Sequence, residues 1–294
     1  YYWMNVALAM VPTSDFTQMA QLLPWVLNQS GYSQYADALN QARNEADTLK
    51  QKAEDLAQNA DSSAITSDGD ITLNVNTDSG TANIGSEDNA LGVTAGGTVS
   101  IITGEDTSLD SVYLESGSDV VLDPIEAENT VEITAKGDIT GAEDAEAPII
   151  SAKDAVLNSI GGNIGTSAED PLKVSVDKLG ALGENVWIEN DKDLQIDSII
   201  GNGDPTNGDG NVDLKVDGDV TGDGDPETDD IIGGDVSIEA EGDIGSEDAP
   251  LDVESDEITA KGEDITLNSD SDMVIDEIIG NDVNINTDGN VTDK

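Results

Sequence analysis

Gly162-Asn163-Ile164-Gly165-Thr166 and Gly242-Asp243-Ile244-Gly245-Ser246 are one pentapeptide written twice, eighty residues apart, and Asn83-Ile84-Gly85 stands eighty residues before the first. Recurrence at a fixed interval is the signature of a repeat architecture. Working outward from each copy, the same short segments follow in the same order. Leu91-Gly92-Val93, Leu172-Lys173-Val174 and Leu251-Asp252-Val253 come first. Val112-Tyr113-Leu114, Val186-Trp187-Ile188 and Ile265-Thr266-Leu267 come next, then Val131-Glu132-Ile133, Val212-Asp213-Leu214 and Val283-Asn284-Ile285. Apolar and polar residues alternate in each segment, the period of a strand with one buried side, and Gly, Asn and Asp punctuate the joins.

Each eighty-residue unit divides into four similar quarters. Coils of about twenty residues suit a parallel β-helix, in which Ile, Val and Leu point inward and stacked neighbours bury the core. The fold class is therefore mainly β, a solenoid over 63–294 with super-repeats at about 84–163, 164–243 and, in part, 244–294. On this reading Ile84, Ile164 and Ile244 occupy equivalent buried positions four coils apart. An array of β-sandwich domains is the competing architecture; against it stand the likeness of the quarters and the near absence of aromatics after residue 60.

Residues 1–62 read differently. Tyr32, Tyr35, Leu39, Ala42, Ala46, Leu49, Ala53, Leu56 and Ala60 recur at steps of three and four, the seam of a helix. Ser33 is a suitable N-cap, and a shorter helix from Ser14 to Leu27 would bend at Pro24. An α-helical hairpin, serving as cap or spacer, is expected here. Tyr1–Val11 lacks a basic leader and Lys294 falls inside a repeat unit, so the sequence reads as a piece of a longer chain.

Sixty-three acidic residues stand against eleven basic ones, a net charge of −52. Such a surface repels nucleic acid and anionic membrane, and no apolar run is long enough to insert into a bilayer as a helix. Histidine and cysteine are absent, which removes the usual catalytic base, thiolate nucleophiles and disulfides. Asp123, Asp197 and Asp276 recur once per unit and read as periodic surface rather than as paired catalytic carboxylates.

The Gly-Asn-Ile-Gly-Thr and Gly-Asp-Ile-Gly-Ser pentapeptides, the Pro-Leu that follows each, and Gly69-Asp70-Ile71-Thr72 resemble giant filamentous-haemagglutinin-like adhesins of bacteria, over roughly Ile65 to Lys294. The resemblance implies a right-handed parallel β-helix, export to the bacterial cell surface, and binding to a glycan or protein on host or neighbouring cells. A non-catalytic structural segment of an extracellular adhesin, able to self-associate into fibres, is the expected function. A cation-binding matrix or S-layer-like protein is the alternative, and a β-helix polysaccharide-active enzyme the third.

One loop has the spacing of a calcium site. Asp219, Thr221, Asp223, Asp225, Glu227 and Asp230 occupy positions 1, 3, 5, 7, 9 and 12 of an oxygen-rich segment with Gly224 at position 6. Asp replaces the usual bidentate Glu at position 12 and Pro226 interrupts the loop, so an acidic solvated turn is the competing account. Asp204, Asn207 and Asp209 form a second, less regular loop. Tyr113 and Trp187 share a repeat position, project outward, and either stack on sugars or pack under a loop.

Overall fold

The computed structural model describes residues 64–75, 80–103, 107–142, 147–201, 210–224 and 228–294, all within the second of two units into which the chain divides, Ser62–Lys294. The helical hairpin expected over 1–62 and the Asp204–Asp209 loop lie outside the described residues. Within them the chain is mainly β, with 23 strands and no helix.

Strand pairings are parallel throughout. Leu91, Leu114, Ile133, Leu157, Ala181, Ile199, Ile231 and Val253 are successive register partners, each one lap of chain beyond the last. The alternation read in the sequence sets which side of each strand is buried. Val131, Ile133 and Ala135 are buried between outward Glu132 and Thr134, and Val212, Leu214 and Val216 between outward Asp213 and Lys215. Each Leu or Ile so buried contributes about 1.5–3 kcal/mol, which only stacking on the next lap makes available.

Laps are not uniform. The register step is 16 residues from Leu251 to Leu267, 28 from Ile84 to Val112 and 32 from Ile199 to Ile231. This corrects the expected four coils per repeat. Ile84 steps through Val112 and Val131 to Ala155, three laps, and Ile164 comes nine residues later. Ile164 steps through Val186 and Val212 to Val236, again three laps, and Ile244 comes eight residues later. All three isoleucines are buried, at 5%, 0% and 0% exposure, but they stand in three different columns. The eighty-residue repeat thus advances by three laps and part of a fourth, because equal spacing in sequence fixes equal phase only when every lap has one length.

After each of these isoleucines the chain leaves the wall and returns. Ile84 and Leu91 stand opposite Val112 and Leu114, so residues 85–90 arch outward over a single residue, Tyr113. Residues 165–171 arch over Trp187 and 245–250 over Thr266 in the same way. Gly85, Gly165 and Gly245 open the arches with φ of 66°, 81° and 66°. A Cβ there would come within 2.5 Å of the carbonyl oxygen of Tyr113, Trp187 or Thr266 respectively, so glycine is required both for the left-handed turn and for the approach.

Candidate functional site

The carboxylates of the Asp219–Asp230 loop serve the backbone. Asp219 Oδ1 accepts the N–H of Asp243 at 2.8 Å, one lap on, and the N–H of Asp219 donates to Asp193 Oδ1 at 3.0 Å. Thr221 is half-buried opposite Gln195. Asp223 is exposed, and its N–H donates to Asp230 Oδ1 at 2.9 Å. Asp230 is 2% exposed, and its Oδ2 accepts the N–H of Asp252 at 2.9 Å. Burial pushes its carboxyl up to about 6 and the nearby Asp223 and Asp252 push the same way, against the two N–H donors, which favour the charged form. Burial, with acidic neighbours, also raises Asp229 and Asp252. The structure therefore brings Asp223 and Asp230 together and commits Asp219 elsewhere. Asp225 and Glu227 lie outside the described residues. Among the described residues no group of three or more carboxylates is arranged to hold a metal ion.

Asp219 belongs to a larger device that the sequence reading missed. An Asx just before an inward aliphatic accepts with its Oδ1 the N–H of its counterpart one lap on. Asp119 accepts from Asp138 at 3.0 Å, Asp138 from Asn163 at 2.7 Å, Asn163 from Asn185 at 3.1 Å and Asn185 from Asn211 at 3.0 Å. A second ladder runs from Asp193 through Asp219, Asp243 and Asp264 to Asp282, with bonds of 2.8–3.1 Å. Both exist in the lap between Val186 and Val212, so they mark two different corners. Corner N–H groups have no strand partner, and each rung satisfies one. Part of the signal was present in the recurring Asx before an inward aliphatic, as in Gly137-Asp138-Ile139, Gly162-Asn163-Ile164 and Gly242-Asp243-Ile244.

Asn190 was illegible. It occupies an inward position between Val174 and Val216 and is fully buried. Its Oδ1 accepts the N–H of Val176 at 2.9 Å, and its Nδ2 donates to the carbonyls of Val176 and Lys192 at 3.2 and 2.7 Å. Alternation predicts an apolar side chain there; the unpaired backbone at that corner demands an amide instead.

The outer wall is patterned as well. Lys173, Glu189, Lys215, Glu239 and Lys261 are successive register partners, an alternating ladder that holds three of the unit's eight lysines. Asp123 accepts from the Ser100 hydroxyl and Asp197 pairs with Lys178, in different columns. Tyr113 and Trp187 are half-buried opposite the bases of their arches.

In comparisons with protein-family models, with curated proteins and with solved structures, none matched this chain.

Proposed function

We propose that the chain from about Ile65 onward is a right-handed parallel β-helix and that it is a non-catalytic segment of an extracellular bacterial adhesin or surface fibre of the filamentous-haemagglutinin-like kind. The observation that carries this reading is the succession of parallel register partners from Leu91 to Val253, with most of the variation in lap length placed in arches and loops and the rest in single-residue bulges such as that at Leu179/Gly180. Such a scaffold adds laps without changing its core and presents loops to partners, which suits reach and attachment. Its ligand would be a glycan or protein on a host or neighbouring cell. The test is binding of the chain to glycan arrays and to intact cells, with the heat-unfolded chain as control. Saturable binding by the folded chain alone is expected, and its absence on every surface would defeat the adhesive role.

The all-aspartate ladder favours a second reading, a cation-binding matrix or S-layer-like protein. Calcium in the millimolar range should then raise the melting temperature more than potassium chloride of equal ionic strength, and Asp223→Ala should remove part of the gain. Equal shifts would mean screening alone.

A further inference from the structure

In a chain with so large an excess of acid, a lysine without a partner is an anomaly. Among the described residues Lys178, Lys192, Lys261 and Lys294 each pair with a carboxylate. Lys215 donates to the Ala168 carbonyl at 2.6 Å and lies 3.8 Å from Asp213 Oδ1, and Lys136 and Lys173 are engaged as well. Lys153 alone of these eight has no side-chain partner, and it lines a groove of about 610 Å³, a volume usual for a ligand cleft.

Small side chains at one corner make the groove. Leu109 and Ala127 are register partners, and Ala152 stands opposite Val176, between the pairs Ser151 with Ser175 and Asp154 with Lys178. Alanine on two successive laps, between a leucine and a valine, leaves the wall short there. The groove runs along the rod axis from Ser108 to Lys192, five laps or about 19 Å.

Its two sides differ. On one, Ser108 Oγ donates to Glu128 Oε1 at 2.6 Å and Lys192 pairs with Asp177 at 2.8 Å, so the carboxylates on the laps either side of Lys153 are already engaged. On the other, Glu126, Ser151 and Ser175 are successive register partners, and among the described residues none of their side chains has a partner. One carboxylate, one ammonium and two hydroxyls are left over, across a floor of Ala127 and Ala152. The set offers donors and acceptors with no net charge. The backbone beside it is committed: Ala152 N–H donates to the Ser175 carbonyl at 3.1 Å, Lys153 N–H to that of Asn129 at 3.0 Å and Asp177 N–H to that of Lys153 at 2.9 Å. An extended peptide binds through a free strand edge and finds none here.

We propose that this groove binds a neutral glycan chain lying along the rod axis, with glycan hydroxyls donating to Glu126, accepting from Lys153, and bonding to Ser151 and Ser175 between them. A hydroxyl both donates and accepts, which this mixed set requires, whereas a ligand of either charge would face one like charge at Glu126 or Lys153. The inference rests on the adhesive reading and gives it a ligand class and a place.

The test follows the Ala127 and Ala152 methyl resonances and the Ser151 and Ser175 amides by NMR while cellohexaose, mannohexaose and chitohexaose are each titrated into the full chain to millimolar concentration. Saturable shifts at these residues with at least one of the three are expected. Lys153→Met, which keeps an unbranched stem and removes the ammonium, and Glu126→Gln should each weaken that glycan by at least about tenfold. Both residues are exposed, so an unchanged melting temperature is expected beside the lost affinity. Lys261→Met, which lies outside the groove, should leave the affinity as it was. The neutral peptide N-acetyl-(Ser-Gly)3-amide should shift none of the four. Absence of saturable shifts with all three glycans, equal affinity in Lys153→Met and Lys261→Met, or shifts with the peptide alone would overturn the site. Cell binding that survives both groove variants would count against the groove and leave the adhesive role standing. Glycan binding in the groove without cell binding would do the reverse.

Discussion

The two Asx ladders do the same work with different chemistry. From Asp138 the first passes to Asn163, Asn185 and Asn211, and two of its amides also donate along the stack: Asn163 Nδ2 to Asp138 Oδ1 at 3.3 Å and Asn185 Nδ2 to Asn163 Oδ1 at 2.8 Å. The second is aspartate at every rung and has only the backbone bonds. A corner N–H needs an acceptor, which either side chain provides, so the charge of the second ladder is not required for the fold. Carboxylates about 4.8 Å apart on successive laps repel by roughly 0.5–1 kcal/mol per pair in water. The ladder is tolerated because each carboxylate from Asp193 to Asp264 accepts a backbone N–H, and the same charge leaves it open to protons and cations.

The largest expected effect is with pH. Asp230 sits on the laps of the aspartate ladder, and its carboxyl is raised from its ordinary value to about 6. The native chain therefore holds that proton more tightly than the unfolded chain does, so stability rises as pH falls from above 6 toward 4. The gain from this group is up to about 3 kcal/mol. The resolved carboxyl shifts at Glu115, Glu132, Asp213, Asp229 and Asp252 are all upward and act in the same direction. Urea unfolding at pH 5 and pH 7.5 checks this; a midpoint that falls on acidification would refute it, and Asp230→Asn should flatten the profile.

Next in size, Asn163→Ala removes the acceptor for Asn185 and the amide that donates to Asp138, and should cost about 1–3 kcal/mol by chemical denaturation. Asn163→Asp should cost less, since the acceptor survives, and that cost should shrink with salt. The smallest effect runs the other way. Asp243→Asn keeps the acceptor and removes a charge from the middle of the aspartate ladder, so it should stabilise by about 0.5–1 kcal/mol at low ionic strength and by almost nothing in 1 M potassium chloride. Destabilisation independent of salt would mean that the carboxylate itself is needed there.

Much of the wall was legible because alternation and burial report the same physics: Val131-Glu132-Ile133 and Val212-Asp213-Leu214 could be assigned inward and outward without coordinates. The phase of the repeat was not legible. Laps that vary from 16 to 32 residues can keep an eighty-residue period while moving Ile84, Ile164 and Ile244 to different columns. Asn190 was hidden because its pattern position is apolar and its reason lies in the backbone of Val176, fourteen residues away in sequence. The Lys215 contact with Ala168 was hidden for a related cause, since 47 residues separate two groups that irregular laps bring together. In the acidic loop, spacing identified oxygen-rich residues but not their orientation, and Asp219 turns to Asp243 instead.

The stacking of laps is the claim on which the rest depends, and one distance tests it. Glu115, Thr134, Asn158, Leu182, Ile200 and Ile232 are successive register partners, so Glu115 and Ile232 are five laps apart although 117 residues separate them in sequence. The chain has no cysteine, so Glu115→Cys with Ile232→Cys can be spin-labelled at those two sites alone. Pulsed electron resonance should give a narrow distribution centred near 24 Å plus the label arms, five strand spacings of about 4.8 Å. A distribution beyond about 40 Å, as expected if the two residues fall in successive compact domains, would contradict the account.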